Sequence, residues 1–98
     1  PGGSTIITVV LQGLLNIVDF DMNIAEATAA PRVHHQWLPD RLMVEPRING
    51  DTRRLLEQRG YELKPRPLGK LQSIHASSGV LYGTSDYRWP DYGVAVAP

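Results

Sequence analysis

The 98-residue chain contains no cysteine. That excludes disulfides, thiolate metal sites and a cysteine nucleophile, and it leaves the redox compartment open. There is no surplus of either charge, because ten Lys and Arg balance ten Asp and Glu. Without a basic excess or a long basic run, the chain lacks the electrostatic footprint of a nucleic-acid or membrane-surface binder. Aromatic residues make up only 7%, and no basic groove accompanies them, so a base-stacking platform has no support. No apolar run is long enough to span a bilayer, since the stretch from Ile6 to Val18 is broken by Thr8, Gln12, Gly13 and Asn16. That stretch also has neither a basic leader nor a small-residue cleavage site, so it does not read as a signal peptide.

What is there is an ordinary globular composition, 42% hydrophobic and 20% charged, on a chain long enough for one modest core. From Thr5 to about Val18 the apolar residues cover most of a helical wheel, the mark of a helix that is buried nearly all round. Asp19, Phe20 and Asp21 end it. Asn23 with Glu26 three residues on forms a capping-box signal for a second helix, which Pro31 closes. A third helix starts at Asn49 or Asp51, turns Leu55 and Leu56 inward and closes at Gly60.

The segment 32–46, RVHHQWLPDRLMVEP, reads as a loop leading into a short strand around Leu42 to Glu45. Residues 61–67, YELKPRP, suit an edge strand, because prolines cannot donate to a ladder. Residues 71–86 read as two strands joined by a turn at Ser77, Ser78 and Gly79. The expected fold is therefore mixed α/β, of the α+β kind with an antiparallel component. The expected organisation is one segment over 1–98 with an irregular tail over 89–98. There is no internal repeat and no low-complexity linker. So apolar a first helix needs cover on nearly every side, and part of that cover is expected from polypeptide outside these residues.

Gly2 and Gly3 sit immediately before that helix. A helix start exposes unpaired amides and carries partial positive charge. Two adjacent N–H groups without side chains to block approach match the need of acyl transfer, where charge develops on a single oxygen. The competing reading is a tight turn in which glycine only permits positive φ. Ser4 is expected to cap the helix.

Three separated motifs carry a resemblance. They are Pro1-Gly2-Gly3-Ser4, then Ala30-Pro31-Arg32 with His34-His35-Gln36-Trp37-Leu38-Pro39, then Ser85-Asp86 with Arg88. In this order, and from Pro1 to about Arg88, the chain resembles the C-terminal part of the bacterial γ-glutamyltranspeptidases, also called glutathione hydrolases. The resemblance implies a place in the αββα sandwich of an N-terminal-nucleophile hydrolase, assembled as a heterodimer by self-cleavage of one precursor. It implies a nucleophilic threonine at the start of the small subunit, outside these residues, with its own α-amine as base. It also implies transfer of the γ-glutamyl group of glutathione or a related donor to water, an amino acid or a peptide. It further implies that the backbone N–H groups of Gly2 and Gly3 match the family's oxyanion hole. The implied partners are the large subunit and the remainder of the small subunit, with no cofactor, and the implied compartment is periplasmic or secreted. Thr5 and Thr8 lack the free α-amine of the nucleophile. The family's usual residue between Asp86 and Arg88 is Pro, where this chain has Tyr87, and the ending DYGVAVAP differs from the common Gly-Tyr terminus.

Other residues invite weaker readings. His34 and His35 are adjacent, so their rings diverge, and with His75 remote no metal-ligand spacing results. Loop packing or backbone hydrogen bonding is expected of them. Arg32 and Arg88 read as structural, through an ion pair or a clamp on carbonyls, with Asp86 a partner for one of them; the family's substrate-gripping arginine comes from the other subunit. Ser77 and Ser78 read as turn residues. Trp37, Trp89, Tyr82, Tyr87 and Tyr92 read as core or subunit contacts. Two alternatives stand beside the transpeptidase reading. One is a related acylase acting on β-lactam, glutaryl or poly-γ-glutamate substrates, and the other is a non-catalytic domain binding a small anion or a partner protein.

Overall fold

Local chemistry sets the elements. A computed structural model describes residues 2–89, 91 and 93–97. It contains three helices, α1 (Thr5–Val18), α2 (Ile24–Ala29) and α3 (Gly50–Gln58), and five strands, β1 (Val33–His34), β2 (Leu42–Val44), β3 (Leu63–Pro65), β4 (Ser73–Ser77) and β5 (Val80–Thr84). At α2 the Asn23 side chain accepts from the Glu26 amide while the Glu26 carboxylate accepts from the Asn23 amide. Two orphan donors are thereby satisfied reciprocally. Asn49 caps α3 on the amides of Asp51 and Thr52. Ser78 and Gly79 both take positive φ, 50° and 77°, as a two-residue turn must to match the twist of the β4–β5 hairpin.

The chain divides into two units, Pro1–Val9 with Pro31–Gly69, and Val10–Ala30 with Lys70–Pro98. In the first unit, β2 lies between β1, which is antiparallel to it, and β3, which is parallel. β3 is thus an edge, as Pro65 requires. β1 lies in the segment expected to be loop; at two residues it is too short to show an alternation in sequence. Val9, Leu42, Val44 and Leu68 form the apolar core of this unit, and Thr5, Arg32, His34 and Glu45 are buried with them. Gly69, at φ 65°, brings its backbone against Val9, where a Cβ would lie 3.0 Å from Cγ2. α3 buries no residue fully, and Leu55 is 55% exposed rather than turned inward.

In the second unit α2 packs on the antiparallel β4–β5 hairpin. Ile24 and Ala27 are its buried apolar residues, with Thr28 and Asp86. Residues 93–97 have no regular structure. Gly83 admits the tail closely, since a Cβ there would lie 3.3 Å from the Ala95 Cβ.

α1 is the exception to the packing rule. Val9 is 2% exposed, but Ile7, Leu11, Leu14 and Val18 are half or more exposed. Ile17 is half-buried and Gly13 packs against Leu71, but much of the apolar surface of α1 has no cover among the described residues. Trp37, Trp89, Tyr82 and Tyr87 are also exposed, so they are not core residues of this chain. Tyr92 lies outside the described residues. Among the described residues no helix is long and apolar enough to cross a membrane.

Candidate active site

The start of α1 has a defined hydrogen-bond pattern. The Gly2 carbonyl accepts from the Thr5 amide at 3.1 Å and from the Thr5 hydroxyl at 2.7 Å. The Gly3 carbonyl accepts from the Ile6 amide at 3.2 Å. Because a trans peptide is planar, a carbonyl directed into the helix turns the following N–H outward. The Gly3 N–H therefore points away from the helix, and so does that of Ser4. Among the described residues, the Gly2 and Gly3 amides donate to nothing. Both glycines have positive φ, 150° and 56°, so the turn reading holds for the backbone as well. The bend is what turns the Gly3 N–H outward. Pro1, the first residue of the motif, lies outside the described residues.

Ser4 departs from expectation. Its hydroxyl does not cap α1 but donates to Gln36 Oε1 at 2.7 Å. The Gly2 and Gly3 carbonyls already close the first turn, which leaves the Ser4 side chain available to the neighbouring loop. Gln36 Nε2 donates to the Leu38 carbonyl, so its oxygen faces Ser4 and also His34 Nε2, 3.0 Å away. The other ring nitrogen, His34 Nδ1, lies 2.7 Å from the Thr8 hydroxyl, which is also within 3.1 Å of the Thr5 carbonyl. The ring is buried and satisfied at both nitrogens by side chains. His35 is turned elsewhere, with Nδ1 accepting the Trp37 amide and Nε2 donating to Asp40. Among the described residues no three His, Asp or Glu side chains gather as metal ligands.

Arg32 and Glu45 are buried below this surface. One Glu45 oxygen accepts the Arg32 amide at 3.0 Å, and the other accepts the Leu68 amide at 2.8 Å. Arg32 Nη1 donates to the Leu68 carbonyl at 2.8 Å. A carboxylate bonded at both oxygens and a guanidinium on a carbonyl tie β1, β2 and the segment after β3 together. Sequence reading missed Glu45, which has no signal of burial in the sequence, because the alternation of Leu42 and Val44 places it on the other face with Met43. Gln36 and Thr8 offered no signal either, since their roles depend on where the chain folds back.

Asp86 and Arg88 belong to the second unit. Asp86 accepts from the Leu71 amide, the Arg88 amide and Arg88 Nη1. Arg88 Nη1 and Nη2 donate to the carbonyls of Thr28 and Ala30, each at 2.9 Å. These are orphan acceptors at the end of α2, where a cation also meets the negative end of the helix dipole. The Tyr87 ring lies 4.8 Å from the Arg88 guanidinium carbon, within cation–π range.

The sequence profile described as "Gamma-glutamyltranspeptidase" matches residues 1–96. The chain belongs to the γ-glutamyltranspeptidase family. It is 52% identical over 93 residues to the glutathione hydrolase proenzyme of Escherichia coli K12, an alignment covering 93% of this chain and 16% of that protein. The γ-glutamyltranspeptidase of Pseudomonas nitroreducens, solved in complex with L-DON, superposes with a TM-score of 0.88 at 35% identity, covering 99% of this chain and 53% of that one. The Bacillus anthracis transpeptidase CapD shares the fold at a TM-score of 0.79 and 16% identity. The α+β fold is thus a part of the N-terminal-nucleophile hydrolase fold of this family, and the chain spans about half of the solved subunit that it matches.

Proposed function

We propose that residues 1–98 act as one segment, the C-terminal part of the small subunit of a γ-glutamyltranspeptidase, and supply its oxyanion hole and scaffold. The enzyme so formed moves the γ-glutamyl group of glutathione or a related donor to water, an amino acid or a peptide. The observation that carries this reading is the start of α1, where an outward Gly3 N–H stands beside the Gly2 amide with no acceptor among the described residues. When a nucleophile adds to the γ-glutamyl carbonyl, negative charge collects on one oxygen. Two fixed donors at the positive end of a helix lower the energy of that state more than of the neutral carbonyl, which is what accelerates the step.

Thr5 and Thr8 are not the nucleophile. Both lie inside α1 with their nitrogens in peptide bonds, and a threonine that serves as its own base needs a free α-amine. The nucleophilic threonine and the large subunit are partners of this segment in the proposed enzyme. The exposed face of α1 is the surface that they and the rest of the small subunit cover.

A chimera tests the reading. In it, residues 1–98 replace the aligned segment of the E. coli proenzyme, and hydrolysis of γ-glutamyl-p-nitroanilide is followed. A chimera that self-cleaves and hydrolyses the substrate supports the proposal. One that folds and self-cleaves but stays inactive contradicts it.

A further inference from the structure

Ser4 and Thr8 stand one helical turn apart at the head of α1, and they bond the last residue of β1 and a residue of the segment that follows it. Thr8 meets His34, and Ser4 meets Gln36. The spacings match, because four helical residues rise about 6 Å and two extended residues about 6.6 Å. An i, i+4 pair on the helix thus meets an i, i+2 pair on an extended segment, as two rungs of one ladder. The rungs are joined at the side, since Gln36 Oε1 accepts from both Ser4 and His34 Nε2. His34 is 3% exposed and forms the anchored end. Gln36 is the end exposed beside the glycines.

Resting on the reading of Gly2 and Gly3 as oxyanion donors, we propose that Gln36 is a positioning residue that holds Ser4 and so fixes the direction of the adjacent glycine amides. Two glycines in sequence are the most mobile backbone the chain can offer, and mobile donors must be reorganised at each turnover. Fixing the residue on their C-terminal side removes that freedom. Gln36 suits the task because its amide is oriented from both ends. Nε2 is held by the Leu38 carbonyl and Oε1 by the His34 ring, so the oxygen offered to Ser4 cannot flip away without breaking both.

The test uses the active chimera with Ser4→Ala, Gln36→Met and Gln36→Glu. It combines steady-state kinetics with backbone hydrogen exchange at Thr5 and Ile6, whose amides donate to the Gly2 and Gly3 carbonyls. Ser4→Ala and Gln36→Met are expected to speed exchange there and to lower kcat about tenfold with KM within twofold. The double variant is expected to be no worse than either single one, because both remove the same tether. Gln36→Glu keeps the acceptor for Ser4 and His34 but loses the donor to the Leu38 carbonyl, and is expected to fall between the parent and Gln36→Met in both exchange and kcat. Unchanged exchange in Ser4→Ala, or a Gln36→Glu variant as impaired as Gln36→Met, overturns the positioning role. Faster exchange with unchanged kcat in the single variants shows that the tether exists but that these amides do not serve the reaction, which overturns the oxyanion reading instead.

Discussion

Asp86 accepts a hydrogen bond from Arg88 Nη1 at 3.1 Å, with the two side chains 0% and 3% exposed. Removing one partner strands a buried charge, which costs far more than the pair contributes as a whole. Asp86→Ala is expected to lower stability by about 3–5 kcal/mol, measured by urea unfolding. The double variant Asp86→Ala/Arg88→Met is expected to lose less than the sum of the single ones, since no charge is left uncompensated. A loss below about 1 kcal/mol in Asp86→Ala, at the level of an exposed pair, contradicts this account.

Glu45 gives a prediction of a different kind. Its two oxygens each accept a backbone amide, so Glu45→Gln, which keeps shape and size, replaces one acceptor by a donor facing a donor. The expected cost is about 2–3 kcal/mol in urea unfolding, the penalty of a buried amide left unpaired. A neutral Glu45→Gln places the carboxylate outside this network.

These two buried knots show how much of the fold was legible beforehand. The capping box at Asn23 and Glu26, Pro65 of β3 and the hairpin turn at Ser78 and Gly79 are written in local sequence, because each depends on neighbours within a few residues. The positive-φ turn at Gly2 and Gly3 was likewise legible, as a glycine pair before a helix. Glu45, Thr8 and Gln36 were not, because their partners lie 13 or more residues away in sequence. Ser4 was misjudged for the same reason. A serine before a helix reads as a cap until the Gly2 and Gly3 carbonyls take the Thr5 and Ile6 amides and a distant glutamine accepts its hydroxyl proton. α1 was read as buried from its composition, and its apolar wheel is that of a covered helix, but the cover is not among the described residues.

The two glycines are expected to respond differently to a methyl group. A Cβ at Gly3 meets nothing within 4 Å, so Gly3→Ala costs only the strain of its φ of 56°, about 1 kcal/mol. A Cβ at Gly2 lies 2.6 Å from Thr5 Oγ1, and that hydroxyl is committed to the Gly2 carbonyl. Gly2→Ala is therefore expected to cost at least about 1 kcal/mol more than Gly3→Ala in thermal or urea unfolding of the chimera. Equal costs contradict the described turn.

The exposed apolar residues of α1 predict association of the chain when it is produced alone. Sedimentation of residues 1–98 is expected to show self-associated species, and Leu14→Glu with Val18→Lys is expected to raise the monomer fraction. A monodisperse wild-type monomer contradicts the reading of this face as one that polypeptide covers.

The claim on which the functional account depends is that the Gly2 and Gly3 N–H groups meet the developing oxyanion, and an amide-to-ester exchange at each position tests it most directly. The exchange removes one N–H and adds no side chain, and the Gly3 amide has no described acceptor whose loss would disturb the fold. In the active chimera the account predicts that kcat for γ-glutamyl-p-nitroanilide falls about 100-fold or more at each position while KM changes little. A kcat within twofold of the parent at both positions would contradict it.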